Sequence, residues 1–237
     1  MSKIDAIIFD LDGTLWDKAG CSDEVMEIVL PKLTPYLPEQ EPEEIILHFN
    51  AALLDMVRES GLKAPHQFSC TTRFERLLKG FGIQKEGLAS ELSATYNAAR
   101  RLAMRSFVRD GVHWVLGRLG ERGLQLGIIA NGSSALQRHT VQALGLEPFL
   151  QHLVIGEVEG YNKPDPRLFW RARELAGVEG SEMLYVGDSL ITDVLGASRA
   201  GVPVAWLHTD EQTLPPGFPA PDYCIQDLRE VVGLVED

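Results

Sequence analysis

Several residue patterns that mark whole classes of function are missing from this chain. It has three cysteines in 237 residues, Cys21, Cys70 and Cys224, odd in number and far apart. They match neither a disulfide framework nor a zinc-ligand spacing, and read as thiols of a reducing compartment. The six histidines are scattered, with no pair at metal-ligand spacing. Basic residues are in deficit, 22 Lys and Arg against 34 Asp and Glu, a formal charge of -12. No basic patch is evident to release counterions, so nucleic acid is not an expected partner. No apolar run approaches the ~20 residues of a membrane span, and the N-terminus lacks a signal-peptide pattern. The expectation is a cytoplasmic protein without a membrane partner. A small phosphorylated metabolite stays compatible with this acidity, because it needs only one local cation site.

The chain is 45% hydrophobic, enough at this length for one large core domain and an insertion. Its most informative stretch comes first, Asp5-Ala-Ile-Ile-Phe-Asp10-Leu-Asp12-Gly-Thr-Leu15. Ile7, Ile8 and Phe9 form a short apolar run, the pattern of a strand buried on both faces of a parallel sheet. Asp10 ends that run, at the carboxyl edge where open α/β sheets place their ligands. Asp12 follows two residues later, and Gly13 allows the chain to turn sharply around whatever the carboxylates hold. Two carboxylates this close suit a divided task, one as nucleophile or metal ligand and the other as proton carrier. The plain alternative is an Asp-rich turn after a strand.

From Ser22 to about Phe107 the periodicity is helical. Ser22-Asp-Glu starts with a capping residue and an acidic turn, and Pro42 opens a helix running to Arg58. Its apolar face holds Ile45, Ile46, Phe49, Leu53 and Met56. Phe74, Leu77, Leu78 and Phe81 form a third stripe ended by Gly82. Leu88, Leu92, Tyr96, Ala99 and Ala103 form a fourth. The pattern predicts a bundle of about four helices. After Arg109-Asp110-Gly111 helix and strand alternate, with strands at Leu124–Ala130, Leu153–Gly156, Met183–Gly187 and Val204–Leu207. This predicts an α/β fold, a doubly wound Rossmann-like parallel sheet with an inserted helical bundle. The domains are expected at 1–16 with 108–237, and at 17–107. The insertion leaves just after the Asp10–Asp12 turn, as a lid would, with Gly20 and Gly111 as hinges.

Three more stretches end at the same sheet edge. Gly127-Ile-Ile-Ala-Asn131-Gly132-Ser133-Ser134 runs from a strand into a helix N-terminus, an anion site with Asn131, Ser133 and Ser134 as added donors. Lys163 precedes a Pro-Asp-Pro turn that restricts where its side chain points. Asp188 ends another buried strand and Asp193 follows five residues later. Asp10, Asp188 and Asp193, with the Asp12 carbonyl and waters, suit Mg²⁺, a hard ion that takes oxygen ligands.

These stretches together resemble motifs I to IV of the haloacid dehalogenase superfamily, in order and over nearly the whole chain. The helical insert resembles the C1 cap of subfamily I. The resemblance implies a Mg²⁺-dependent phosphatase of a small phosphomonoester, working through an aspartyl-phosphate, as a monomer or a homodimer. Asp10 would be the nucleophile, Asp12 the acid and then the base, and Lys163 the counter-ion. Backbone amides of Leu11, Asp12 and Gly132, with Asn131, would cradle the phosphate. One departure is Ala130, where motif II normally carries Thr or Ser; Ser133 is a candidate replacement. Three rival readings stand beside this one: a 2-haloacid dehalogenase, a phosphomutase and a binding or regulatory protein. The cap would choose the substrate, with Lys18, Arg58, Lys63, Arg73, Arg101 and Arg105 as its candidate cations.

Overall fold

The computed structural model describes residues 3–60, 69–209 and 212–235. The chain divides into two compact units, Met1–Asp17 with Val108–Asp237, and Lys18–Phe107.

The first unit is built on six parallel strands. They are β1 (Ala6–Phe9), β2 (Gln125–Ala130), β3 (His152–Ile155), β4 (Met183–Gly187), β5 (Val204–Leu207) and β6 (Tyr223–Ile225). Their spatial order is β3-β2-β1-β4-β5-β6. The order reverses at β1, so β1 and β4 flank the switch point, where the crevice of a doubly wound sheet opens. β1 is buried along its whole length and pairs on both sides, Phe9 lying opposite Ile128 and Val186. An apolar run without alternation produces this burial, since both faces of the strand meet other elements.

Among the described residues, α1 to α4 belong to the second unit: Lys18–Leu33, Pro42–Ser60, Cys70–Gly80 and Leu88–Ala103. Phe49, Phe74 and Tyr96 form its aromatic centre, with ring centroids 4.6 to 6.1 Å apart. The Tyr96 hydroxyl donates to Ser22 at 2.8 Å, so its polar end is satisfied. Arg73 is spent inside this unit, donating to Phe49 O and Asn50 Oδ1 and stacking 3.7 Å over the Phe49 ring. Lys18, Arg101 and Arg105 are exposed. Lys63 and the Arg58 side chain lie outside what is described.

Back in the first unit come α5 (Val112–Glu121), α6 (Ser134–Ala143), α7 (Gly156–Glu159), α8 (Pro166–Ala176), α9 (Leu195–Ala200) and α10 (Glu230–Gly233). Leu168, Phe169 and Ala172 of α8 and Ala197 of α9 pack with Ile8, Ile129 and Tyr185 of the sheet.

Two expectations need correction. α1 begins at Lys18, four residues before the Ser22 cap, so Gly20 lies within its first turn. Gly111, by contrast, has φ +78° and precedes α5. The helix expected from Ile191 instead opens with a π turn, Leu190–Val194, before α9. Its wider loop of backbone lets Asp193 fold back and accept the Ser189 N–H at 3.0 Å.

Candidate active site

Two buried strands each end in an acid. Asp10 follows β1 and Asp188 follows β4, on neighbouring strands at the switch point. Gly13 has φ +100°, and a Cβ there would stand 2.5 Å from Asp188 Oδ2. Only glycine lets the turn after Asp12 pass that carboxylate. Gly187 serves Asp193 the same way, since a Cβ at 187 would lie 2.5 Å from Asp193 Cγ. As a result Asp10, Asp188 and Asp193 each offer a carboxylate oxygen, all within 4.8 Å of one another.

Lys163 enters this cluster from the turn before α8 and is 2% exposed. Its Nζ donates to Asp10 Oδ1 at 2.5 Å, Asp193 Oδ1 at 2.7 Å and the Tyr185 hydroxyl at 2.8 Å. An ammonium has three protons, so all three are engaged. Tyr185 then donates its own proton to Asp193 Oδ1 at 2.9 Å. Thr14, fully buried, donates to Asp188 Oδ1 at 2.9 Å. Burial pushes the Asp10 carboxyl well above the ordinary carboxylate range; Lys163 opposes this, while Asp193 and Asp188 add to it. Burial likewise raises Asp188, with Asp193 adding to the shift. For Lys163 burial works against the charge, but Asp10 and Asp193 outweigh it and hold the ammonium above its ordinary range.

With all three carboxylates ionised, one ammonium leaves two surplus negative charges in a largely buried place. A divalent cation with oxygen ligands would balance them, and the donor atoms offered are all oxygen, which suits a hard ion such as Mg²⁺. The residues present therefore fit that ion.

Asp12 points elsewhere. Its Oδ1 accepts the Trp16 indole N–H at 3.0 Å and its Oδ2 accepts the Gln137 Nε2 hydrogen at 3.0 Å. The motif II loop makes contacts within the chain. Asn131 clamps the Lys163 backbone, accepting its N–H at 2.7 Å and donating to its carbonyl at 3.1 Å. The Gly132 N–H is directed at Asn162 Oδ1, 3.4 Å away. At the start of α6 the Ser134 N–H donates to Glu157 at 2.8 Å, so the chain supplies its own anion there. Ser133 caps α6 without a side-chain capping bond. Ala130 ends β2 and is buried.

Trp16, Gln137, Thr14 and Tyr185 also join the site, with no role expected of them from the sequence. A signal existed for Gln137, a lone amide on the buried stripe Gln137–Thr140–Val141 of α6. For Tyr185 there was none, since aromatic residues are ordinary in strands.

Comparison with known proteins places this geometry. The family model described as haloacid dehalogenase-like hydrolase matches residues 4–201. The glyceraldehyde 3-phosphate phosphatase of Pyrococcus abyssi is 30% identical over 214 residues, 86% of this chain and 81% of that protein. The N-acylneuraminate-9-phosphatase of Mus musculus is 28% identical over 247 aligned positions, covering 100% of this chain and 95% of its own. Among solved structures, the HAD-hydrolase YfnB from Bacillus subtilis superposes with a TM-score of 0.80 at 22% identity, each chain covered fully.

Proposed function

Because the chain belongs to the haloacid dehalogenase-like hydrolases, we propose that it is a Mg²⁺-dependent phosphatase of a small phosphomonoester. The observation that carries this reading is the cluster of Asp10 and Asp193, both buried, and the partly buried Asp188 around Lys163, with the Asp12 carboxylate held apart from it. The relatives named as phosphatases support the reaction class, while their different substrates leave the organic part open.

Asp10 attacks phosphorus through a carboxylate oxygen, and the bond from phosphorus to the ester oxygen breaks as the aspartyl-phosphate forms. Asp12 delivers a proton to the departing oxygen, then takes one from the water that attacks the aspartyl-phosphate. Inorganic phosphate leaves and Asp10 is regenerated. Asp10, Asp188, Asp193 and the Asp12 carbonyl would hold Mg²⁺, which would supply neutralisation of the phosphoryl charge. Lys163 keeps Asp10 oriented and adds positive charge beside it. Backbone N–H groups of Leu11 and Asp12 receive phosphoryl oxygens, with Asn131, Gly132 and Ser133 as further candidates once the loop adjusts. The helical unit, a C1 cap in this reading, acts as lid and selects the substrate, and its exposed Lys18, Arg101 and Arg105 are the cations to test. Among the described residues no helix is long and apolar enough to cross a membrane.

The dehalogenase reading is weaker on chemical grounds. A halide leaving group needs no acid and no metal, so it gives Asp12 and the acid cluster no task. The deciding experiment is a panel of sugar phosphates, nucleotides, phosphoglycolate and haloacids, with Mg²⁺ and with chelator. Mg²⁺-dependent phosphate release and a phosphoenzyme trapped on Asp10 are the expected results. Halide release without metal, or no phosphomonoester turnover at all, refutes the reading.

A further inference from the structure

Gln137 occupies the buried side of α6 and is 2% exposed. Its Nε2 donates to two acceptors, Asn131 O at 2.6 Å and Asp12 Oδ2 at 3.0 Å. Its Oε1 is buried with no hydrogen-bond partner. Packing alone does not call for an amide here, since an apolar side chain would fill the position without burying an unpaired acceptor; that cost is set against the two hydrogen bonds the nitrogen makes.

The two contacts decide which end of the carboxamide faces Asp12. The Asn131 carbonyl only accepts, so the nitrogen must face it. Flipping the amide would set two carbonyl oxygens against each other at the present 2.6 Å separation. The second hydrogen of Nε2 is thereby committed to Asp12 Oδ2. On the other side of the carboxylate, Trp16 is fully buried and presents its Nε1–H to Asp12 Oδ1 at 3.0 Å. Each oxygen of Asp12 thus accepts an N–H from a side chain that its own packing holds in place. The two donors come from different parts of the core, the chain after β1 and the first turn of α6.

We infer that Gln137 and Trp16 are positioning residues that set the plane and direction of the Asp12 carboxylate for both of its proton transfers. The inference rests on the phosphatase reading above. One group must meet the leaving oxygen and later the attacking water, so its placement matters in both half-reactions, and a displacement of the order of 1 Å is costly.

The test uses the full chain with saturating Mg²⁺ and two variants. Gln137→Met removes the donor at similar volume, and Trp16→Phe removes the indole N–H while keeping a ring. Each is assayed on an alkyl phosphate and on 2,4-dinitrophenyl phosphate, whose leaving group needs no proton. For Gln137→Met, kcat/KM on the alkyl ester should fall about ten- to a hundredfold, the worth of one hydrogen bond to a charged group. On the dinitrophenyl ester it should fall less than about threefold. Rapid mixing with that ester should show a burst of dinitrophenolate, because water activation by a misdirected Asp12 becomes the slow step. Trp16→Phe should show the same split, so the test survives if either variant fails to fold. The Mg²⁺ concentration for half-maximal rate should stay with the parent. Equal losses on both esters, absence of the burst, or parent-like kinetics in a folded variant overturns the inference while the phosphatase reading stands. A parent that turns over no phosphomonoester overturns both.

Discussion

Replacing Lys163 with methionine keeps the length of the side chain and removes its charge from the centre of three acids. The ammonium is 2% exposed and lies 2.5 Å from Asp10 Oδ1 and 2.7 Å from Asp193 Oδ1. Its loss also strips the Tyr185 hydroxyl of its donor at 2.8 Å. Removing one partner of a buried ion pair costs about 3–5 kcal/mol, because the remaining charge is left uncompensated. In a protein of this size each kcal/mol moves Tm by about 2–4 °C, so the expected drop in chelator is about 6–20 °C. Trp16, Trp114, Trp170 and Trp206 are the four tryptophans, and all belong to the unit that carries the site. Intrinsic fluorescence therefore follows the unfolding of that unit by heat or urea. Mg²⁺ should restore more stability to the variant than to the parent at pH 8, since it meets a more negative site. A variant within about 1 kcal/mol of the parent in chelator would refute this account of the cluster. So would equal stabilisation of both proteins by Mg²⁺.

Two further outcomes follow from the same geometry. Gly13→Ala forces a side chain onto a backbone at φ +100° and sets a Cβ 2.5 Å from Asp188 Oδ2. Backbone strain alone should cost about 1–3 kcal/mol, and the Mg²⁺ concentration for half-maximal rate should rise; urea titration and metal titration read the two effects, and a variant unchanged in both refutes the close approach. The second concerns pH in the metal-free protein. Burial raises Asp10 and Asp188 above the ordinary value of 3.8, so the folded chain keeps protons that the unfolded chain has already lost. Stability from this source is full below that value and is lost as pH rises through the raised folded values. The decline in Tm in chelator as pH rises above the ordinary carboxylate value should be shallower in Asp10→Asn, and parallel curves would count against the shift. Mg²⁺ should reverse the trend in the parent, since it takes the place of the protons.

The strand-end positions of the candidate site are legible in the sequence, because they lie in short segments whose residues carry local information. A buried apolar run that stops at an acid predicts a carboxylate at a strand end, and the parallel sheet brings such ends together at one edge. Asp10 and Asp188 needed nothing more than that. The helical stripes of the insertion were equally local: Ile45, Phe49 and Met56 are buried in α2 as their spacing implies. The tasks of the motif residues were a different matter. Asn131 reads as a phosphate donor from its place before a helix, but nothing local announces that its amide also holds the Lys163 backbone, 32 residues away. The start of α6 reads as an anion site, yet Glu157 arrives from the next helix to fill it. Asp193 reads as part of an ordinary helix, yet a π turn swings it back toward β4. Gln137 meets Asp12 across 125 residues of chain, and Thr14 meets Asp188 across 174. Periodicity and strand-end position are set by residues a few places apart, so they are written in the order of the sequence. The partner of a hydrogen-bonding group is set by whichever element packs beside it, which only the folded sheet and its crossovers decide.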